Sequence, residues 1–202
     1  MEVDPIELVQ SSGEARTAIE ARTARLNAVV AITVAILATF MGVCKVKDDN
    51  IVQGMQQAQA DKLDHWAYYQ ARTIRADVAQ ATLTQLTLQS QAQATRNESA
   101  YKDAITKYEG IAKDQLAKRE DLRKAADADQ QKYDALNYRD DQFDLSDALL
   151  AISIALLAVT ALTSMWPLYW MAMLPTGFGV LMGLAGLLGW ALHPGALMAL
   201  LS

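Results

Sequence analysis

The fold class the sequence predicts is an all-α membrane protein. It would have three transmembrane helices, with a long antiparallel, coiled-coil-like helical hairpin inserted between the first and second spans. Three observations lead there. Charge is absent from Leu26 to Cys44 and, His193 aside, from Ala148 to Ser202. Between those apolar ends, residues 45–147 hold 15 of the 18 Lys and Arg and 18 of the 23 Asp and Glu. No proline occurs between Pro5 and Pro167, and the polar middle has only Gly54 and Gly110, so almost nothing there interrupts a helix. The hydrophobic fraction of 52% averages these two chemistries and conceals both.

Residues 1–25 form a polar tail, in which Ser11 can start a helix with Glu14 as its capping-box partner and Arg16 can pair with Glu20 one turn on. The uncharged "LNAVVAITVAILATFMGVC", residues 26–44, is close to the ~20 residues that cross a ~30 Å hydrocarbon layer as a helix. A cleaved leader is not expected, because a mixed-charge segment precedes this span and no small-residue cleavage site follows it. Cys44 is the only cysteine, which excludes an intrachain disulfide and a thiolate metal site; it reads as a small apolar residue at the membrane edge.

The extramembrane segment, 45–147, reads as two helices, 48–95 and 98–147, that run into the spans without a break. Between them "ATRNES", residues 94–99, offers Asn97 and Ser99 for a turn and a cap. Each helix would be about 70 Å long at 1.5 Å per residue. On the first, the seam is read as Leu63, Trp66, Gln70, Ile74, Val78 and Ala81. On the second it is Tyr101, Ile105, Tyr108, Ala112 and Leu116, then Leu122, Ala126, Tyr133, Leu136 and Phe143. These knobs are weak for a self-sufficient coil, so the hairpin is expected to lean on copies of itself or on another protein. The uncharged window 78–95 alternates Thr with Leu in a way that also suits a strand; its helical flanks make it helical, and its tip is a plausible contact surface.

Spans two and three, 148–166 and 168–192, are separated by "SMWPLYW", where Pro167 breaks the helix and the aromatic rings suit the headgroup level. The apolar residues 193–202 form a C-terminal tail that can lie along the interface. Small residues line one face of each span: Ala31, Ala35, Ala38 and Gly42; Ala151, Ala155 and Ala158; Gly179, Gly183 and Gly186. In lipid such faces let helices approach closely, which makes them the expected membrane-packing surfaces. No Asp, Glu, Lys or Arg lies inside a span, so nothing marks an ion path or proton relay there.

The chemistry-bearing residues crowd into "DKLDHWAYYQARTIR", residues 61–75. Asp61 and His65 stand one turn apart and could give a metal two ligands, but a site needs three or four and the only other histidine is His193. Nor does His65 have a nucleophile and an orienting group beside it. With the chain turning near Asn97, Trp66 would lie opposite residue 128, near Arg123, Lys124, Lys132 and Tyr133. The cluster therefore reads as a packing anchor, with cation–π contacts open to Tyr68 and Tyr69. His193 reads as a solvated residue beside a helix-ending proline rather than a haem or chlorin ligand. No cofactor, metal or catalytic residue is expected, and none of the constellations of an enzyme is present.

The same stretch resembles the W-x-YYQA-[KR]-x-I-[KR] pattern of a bacterial membrane family, domain of unknown function 4337, at Trp66, Tyr68, Tyr69, Gln70, Ala71, Arg72, Ile74 and Arg75. The layout is similar too: polar tail, one span, charged helical middle, two closely spaced spans. In that family the turn between the last spans is often basic, whereas "SMWPLYW" carries no Lys or Arg. The resemblance implies the architecture and brings no activity, substrate or cofactor.

Arg16, Arg22 and Arg25 flank the first span on one side, and Lys45, Lys47, Lys132 and Arg139 flank the spans on the other. The two counts are nearly tied; long loops cross largely regardless of charge, which weakens the second group, and with the often basic turn of the resembled family the expected orientation in a bacterial inner membrane has the N-terminus cytoplasmic and the hairpin periplasmic. The expected function is a non-enzymatic, self-associating structural or scaffolding protein, with the lipid bilayer and copies of itself as partners and no nucleic acid. The alternative is an accessory subunit of a larger respiratory or photosynthetic membrane complex.

Overall fold

The computed structural model describes residues 5–92 and 98–192. Three helices account for nearly all of them: α1 (Pro5–Ala92), α2 (Glu98–Thr163) and α3 (Trp166–Leu188). Among the described residues there is no strand. Each helix contains a stretch long and apolar enough to cross a membrane. α1 starts at Pro5, so Ser11 lies inside it rather than capping it. Proline fits a first turn because its missing N–H would find no intrahelical partner there. The turn expected at 94–99 falls mostly outside the described residues, including Asn97, and Ser99 is already helical because α2 begins at Glu98. His193 and the tail that follows it are outside them as well.

The chain divides into two compact units, one formed by residues 1–51 and 138–202, the other by 52–137. The core of the first unit is Leu26, Val30, Leu37, Leu150, Leu157 and Ala172, with Phe40, Tyr169 and Val180 packed against it. With Val34, which also packs there, the α1 residues recur every three or four positions, the spacing that keeps one helix face inward. Hydroxyls inside this core are satisfied locally: Ser153 donates to the Leu149 carbonyl and Thr160 to that of Leu156, each at 2.8 Å. The Thr33 and Tyr169 hydroxyls meet at 3.3 Å across the helices.

α2 turns into α3 at Ser164, whose φ of 53° makes it the only described non-glycine residue in the left-handed region. Met165 is extended and Pro167 stands in the first turn of α3. Pro175 lies inside α3 without ending it, and the neighbouring Thr176 hydroxyl bonds the Ala172 carbonyl at 2.8 Å. The third span was expected to run to residue 192, but the helix stops at Leu188. Gly189 takes a left-handed φ of 71° there, and the Trp190 N–H turns back to the Ala185 carbonyl at 2.9 Å. This is a glycine termination, available because glycine has no Cβ to clash.

In the second unit, Lys62 bonds Gln130, His65 bonds Asp129 at 2.7 Å, and Arg72 bonds Gln115 at 2.9 Å. Rising numbers on α1 meet falling numbers on α2. The α1 row turned toward α2 runs through Ala58, His65, Tyr69, Arg72, Ala76 and Ala79. The seam anticipated on α1 is therefore in the wrong phase. Leu63, Ile74 and Val78 are each at least 60% exposed, and Gln70 and Ala81 are exposed too; of that row only Trp66 is half-buried. The seam on α2 follows the expected residues except Leu116, which is exposed where Gln115 turns in. Small alanines and polar pairs, not the large aliphatics, form the contact on α1, and apolarity alone pointed to the opposite face.

The Thr-rich window is helical through Ala92. Thr82, Thr84 and Thr87 donate to the carbonyls four residues back, at 2.9, 3.0 and 2.8 Å. Those hydroxyls are thus satisfied without a strand.

Candidate functional site

A group of titratable side chains gathers in the first unit, just past the apolar stretch of α1. Asp48 is 4% exposed. Lys45, one turn earlier, donates to Asp48 Oδ2 at 2.7 Å and reaches Asp49 at 3.5 Å. The bond to Asp48 holds the Lys45 ammonium more firmly protonated than usual. The other oxygen, Asp48 Oδ1, is buried and has no donor. From α2, Asp140, Asp144 and Asp147 converge on it at successive turns of one face. Burial first, then the neighbouring carboxylates of Asp48 and Asp144, push the Asp140 carboxyl up to about 7. Burial and the Asp48 charge also raise Asp144, and burial raises Asp147 against the opposing pull of Lys45. Both follow the rule that desolvation and like charge favour the neutral acid.

α2 also holds the end of α3. Arg139 donates to the Gly186 carbonyl at 2.8 Å, and Gln142 Nε2 donates to the carbonyls of Trp190 and Leu192 at 2.8 and 2.7 Å. Gly186 lies in the last turn of α3, where carbonyls lack intrahelical donors, and Arg139 supplies one; Gln142 ties down the segment that follows the helix end. Ser146, buried beside them, donates to the Gly179 carbonyl at 2.8 Å.

In the second unit, the aromatic cluster has a different character. Trp66 and Tyr69 pack edge to face with centroids 5.2 Å apart, and the Arg119 guanidinium lies 5.7 Å from the Tyr69 ring. His65 is held by Asp129, and Asp61 accepts from Gln57 at 2.7 Å. Among the described residues no group of three or more His, Cys, Asp or Glu is placed to hold a metal ion. Arg72 turns toward α2 through Gln115, while Tyr68, Gln70, Ile74 and Arg75 are exposed. The cation–π contact thus falls on Tyr69, and from Arg119 rather than from Arg123, Lys124 or Lys132.

A family model described as Domain of unknown function (DUF4337) matches residues 26–189, which include both groups. The chain belongs to the DUF4337 family. No curated protein and no solved structure matches it. The DUF4337 match begins at the first residue of the apolar stretch of α1 and ends at Gly189, where α3 terminates.

Within this DUF4337 chain the three small-residue faces go to different places. Gly179, Gly183 and Gly186 are buried on α3 against Leu150, Phe40 and Phe143 respectively. Ala31, Ala35, Ala38 and Gly42 on α1, and Ala151, Ala155 and Ala158 on α2, are exposed. Sequence reading missed the aspartate cluster. Its signal was present in "KVKDD" after the first apolar run and "RDDQFDLSD" before the second, where residues 140, 144 and 147 share a helix face.

Proposed function

We propose that this DUF4337 protein is a non-enzymatic, multi-pass protein of a bacterial inner membrane that self-associates as a structural scaffold. Its N-terminus would be cytoplasmic and the antiparallel hairpin of 45–147 periplasmic. The observation that carries this reading is the outer row of α1 in the second unit. Leu63, Ile74, Val78 and Leu88 are exposed by 60–63% on a segment too polar to lie in lipid. Large aliphatics repeated along one solvent-facing helix stripe mark a surface that associates. The exposed alanine faces of α1 and α2 support the same reading within the membrane, where small residues let helices of separate copies approach.

Cross-linking tests it. With Cys44 replaced by Ala, an Ile74→Cys variant oxidised in intact membranes should give a disulfide dimer of the 22.1 kDa chain. A Lys118→Cys control, on an exposed polar position, should stay monomeric. Adducts of Ile74→Cys with other polypeptides and none with itself would replace self-association with the accessory-subunit reading.

A further inference from the structure

We propose that Arg22, Arg25 and Trp166 form a binding site for the phosphate headgroup of an anionic phospholipid, at the end of the first unit where the apolar stretch of α1 begins. Arg22 and Arg25 lie three residues apart on one side of α1, and both are exposed. With Ala21 and Trp166 they line an open cleft of about 390 Å³. Leu26, the residue after Arg25, is fully buried in the core, and the uncharged run starts there. Trp166 opens α3, packs against the same core and meets Tyr169 edge to face with centroids 5.9 Å apart, so that wall of the cleft is held in place.

The two guanidinium groups are uncompensated. Among the described residues neither makes a hydrogen bond or an ion pair, and the Trp166 indole N–H has no acceptor. The nearest acid along α1 is Glu20, which pairs with neither, and residues 148–163 of α2 and all of α3 carry no charged side chain. Guanidinium forks match the geometry of a phosphate and bind it through charge-assisted hydrogen bonds. Basic pockets between membrane-spanning helices take anionic headgroups on the same chemistry. A zwitterionic headgroup would bring its own cation toward the arginines, which makes an anionic one the better match.

The helix face that continues from Arg25 favours a lipid over a free anion. Arg25, Val29, Ile32 and Ile36 follow at steps of four, three and four, so they share one side of α1. Ile32 and Ile36 are 61% and 62% exposed. An aliphatic stripe that runs from a phosphate-binding pair into an apolar stretch suits a molecule with both a headgroup and acyl chains. Ala31, Ala35, Ala38 and Gly42 lie on a different side, so a bound lipid leaves that face open to a neighbouring copy. The inference rests on the membrane reading above, and is independent of self-association and of which side the N-terminus faces.

The test uses the full chain reconstituted into phosphatidylcholine vesicles, with phosphatidylglycerol as the anionic probe. Quenching of tryptophan fluorescence by chain-brominated lipid reads the relative affinity for the two headgroups. The wild type should show a component that prefers phosphatidylglycerol about tenfold, the scale of hydrogen bonds to a charged group. Arg22→Gln and Arg25→Gln should each abolish most of that preference. Arg16→Gln, which removes the same charge from the same helix outside the cleft, should keep it. Insertion of the wild type with no headgroup preference would overturn the site and leave the membrane reading standing; failure to insert, read by vesicle flotation, would overturn both. Equal loss in Arg16→Gln would reduce the preference to general charge attraction and overturn the site. So would displacement by inorganic phosphate beyond that caused by sodium chloride at equal ionic strength, which would assign the cleft to a free anion. Should an Arg22 or Arg25 variant lose its helical circular dichroism, the wild-type preference and the phosphate competition decide alone.

Discussion

Gly183 and Gly42 are both helical glycines on small-residue faces, yet the space around them differs. A Cβ at Gly183 would meet the Phe40 ring and Ser146 Oγ at 2.8 Å, whereas one at Gly42 meets nothing within 4 Å. Gly183→Ala should therefore destabilise the protein by about 1–3 kcal/mol, since a crowded site must shift to admit a methyl group. Gly42→Ala should be neutral or stabilising by up to ~1 kcal/mol, the ordinary gain of replacing a helical glycine. Denaturation of the two variants in detergent, with wild type beside them, checks both directions. Gly183 thus works inside the chain, and an effect of its replacement on assembly would be indirect. Gly42 and the alanines of its face remain open to a neighbouring copy.

At the scale of the helix, α1 in the second unit has two stripes in opposite surroundings. The inward stripe includes Ala76 at 1% and Ala79 at 3% exposure, and the outward one carries Leu63, Ile74, Val78 and Leu88. Ala76→Glu would bury a charge without a partner and should cost more than about 2 kcal/mol, visible as lost cooperative unfolding. Ile74→Glu should leave the stability of the single chain within about 0.5 kcal/mol and weaken association instead. Helical circular dichroism with sizing of the two variants separates the roles.

These stripes also explain which elements were legible. The apolar segments were plain, because nineteen uncharged residues at 26–44 have few alternatives to a long helix. α2's seam was legible because Tyr108, Ala112, Leu122 and Ala126 are its apolar choices as well as its inward ones. On α1 the two criteria separate: the inward residues are Ala76, Ala79, His65 and Arg72, and the larger aliphatics face out. The end of α3 depended on Gly189, a backbone event that hydropathy does not register. The aspartate cluster depended on pairing "KVKDD" with "RDDQFDLSD" across nearly a hundred residues, and spacing within either segment does not give that pairing.

For the whole molecule, the uneven division of charge is the governing fact. Among the described residues, three stretches are long and apolar enough to cross a membrane. Residues 45–147 carry most of the charge. A polar helical segment of that kind gains little from its own thin contact, since alanines and ion pairs bury little apolar area. Covering the outer stripe of α1 with a second copy adds apolar burial where one chain has none, and that is the physical case for self-association. The most direct measurement is the native mass of the complex extracted from its own membranes in mild detergent, with mass-spectrometric identification of every polypeptide in the peak. Self-association predicts a single polypeptide at an integral multiple of 22.1 kDa. A monomer, or a peak in which this chain is stoichiometric with other proteins, would contradict it.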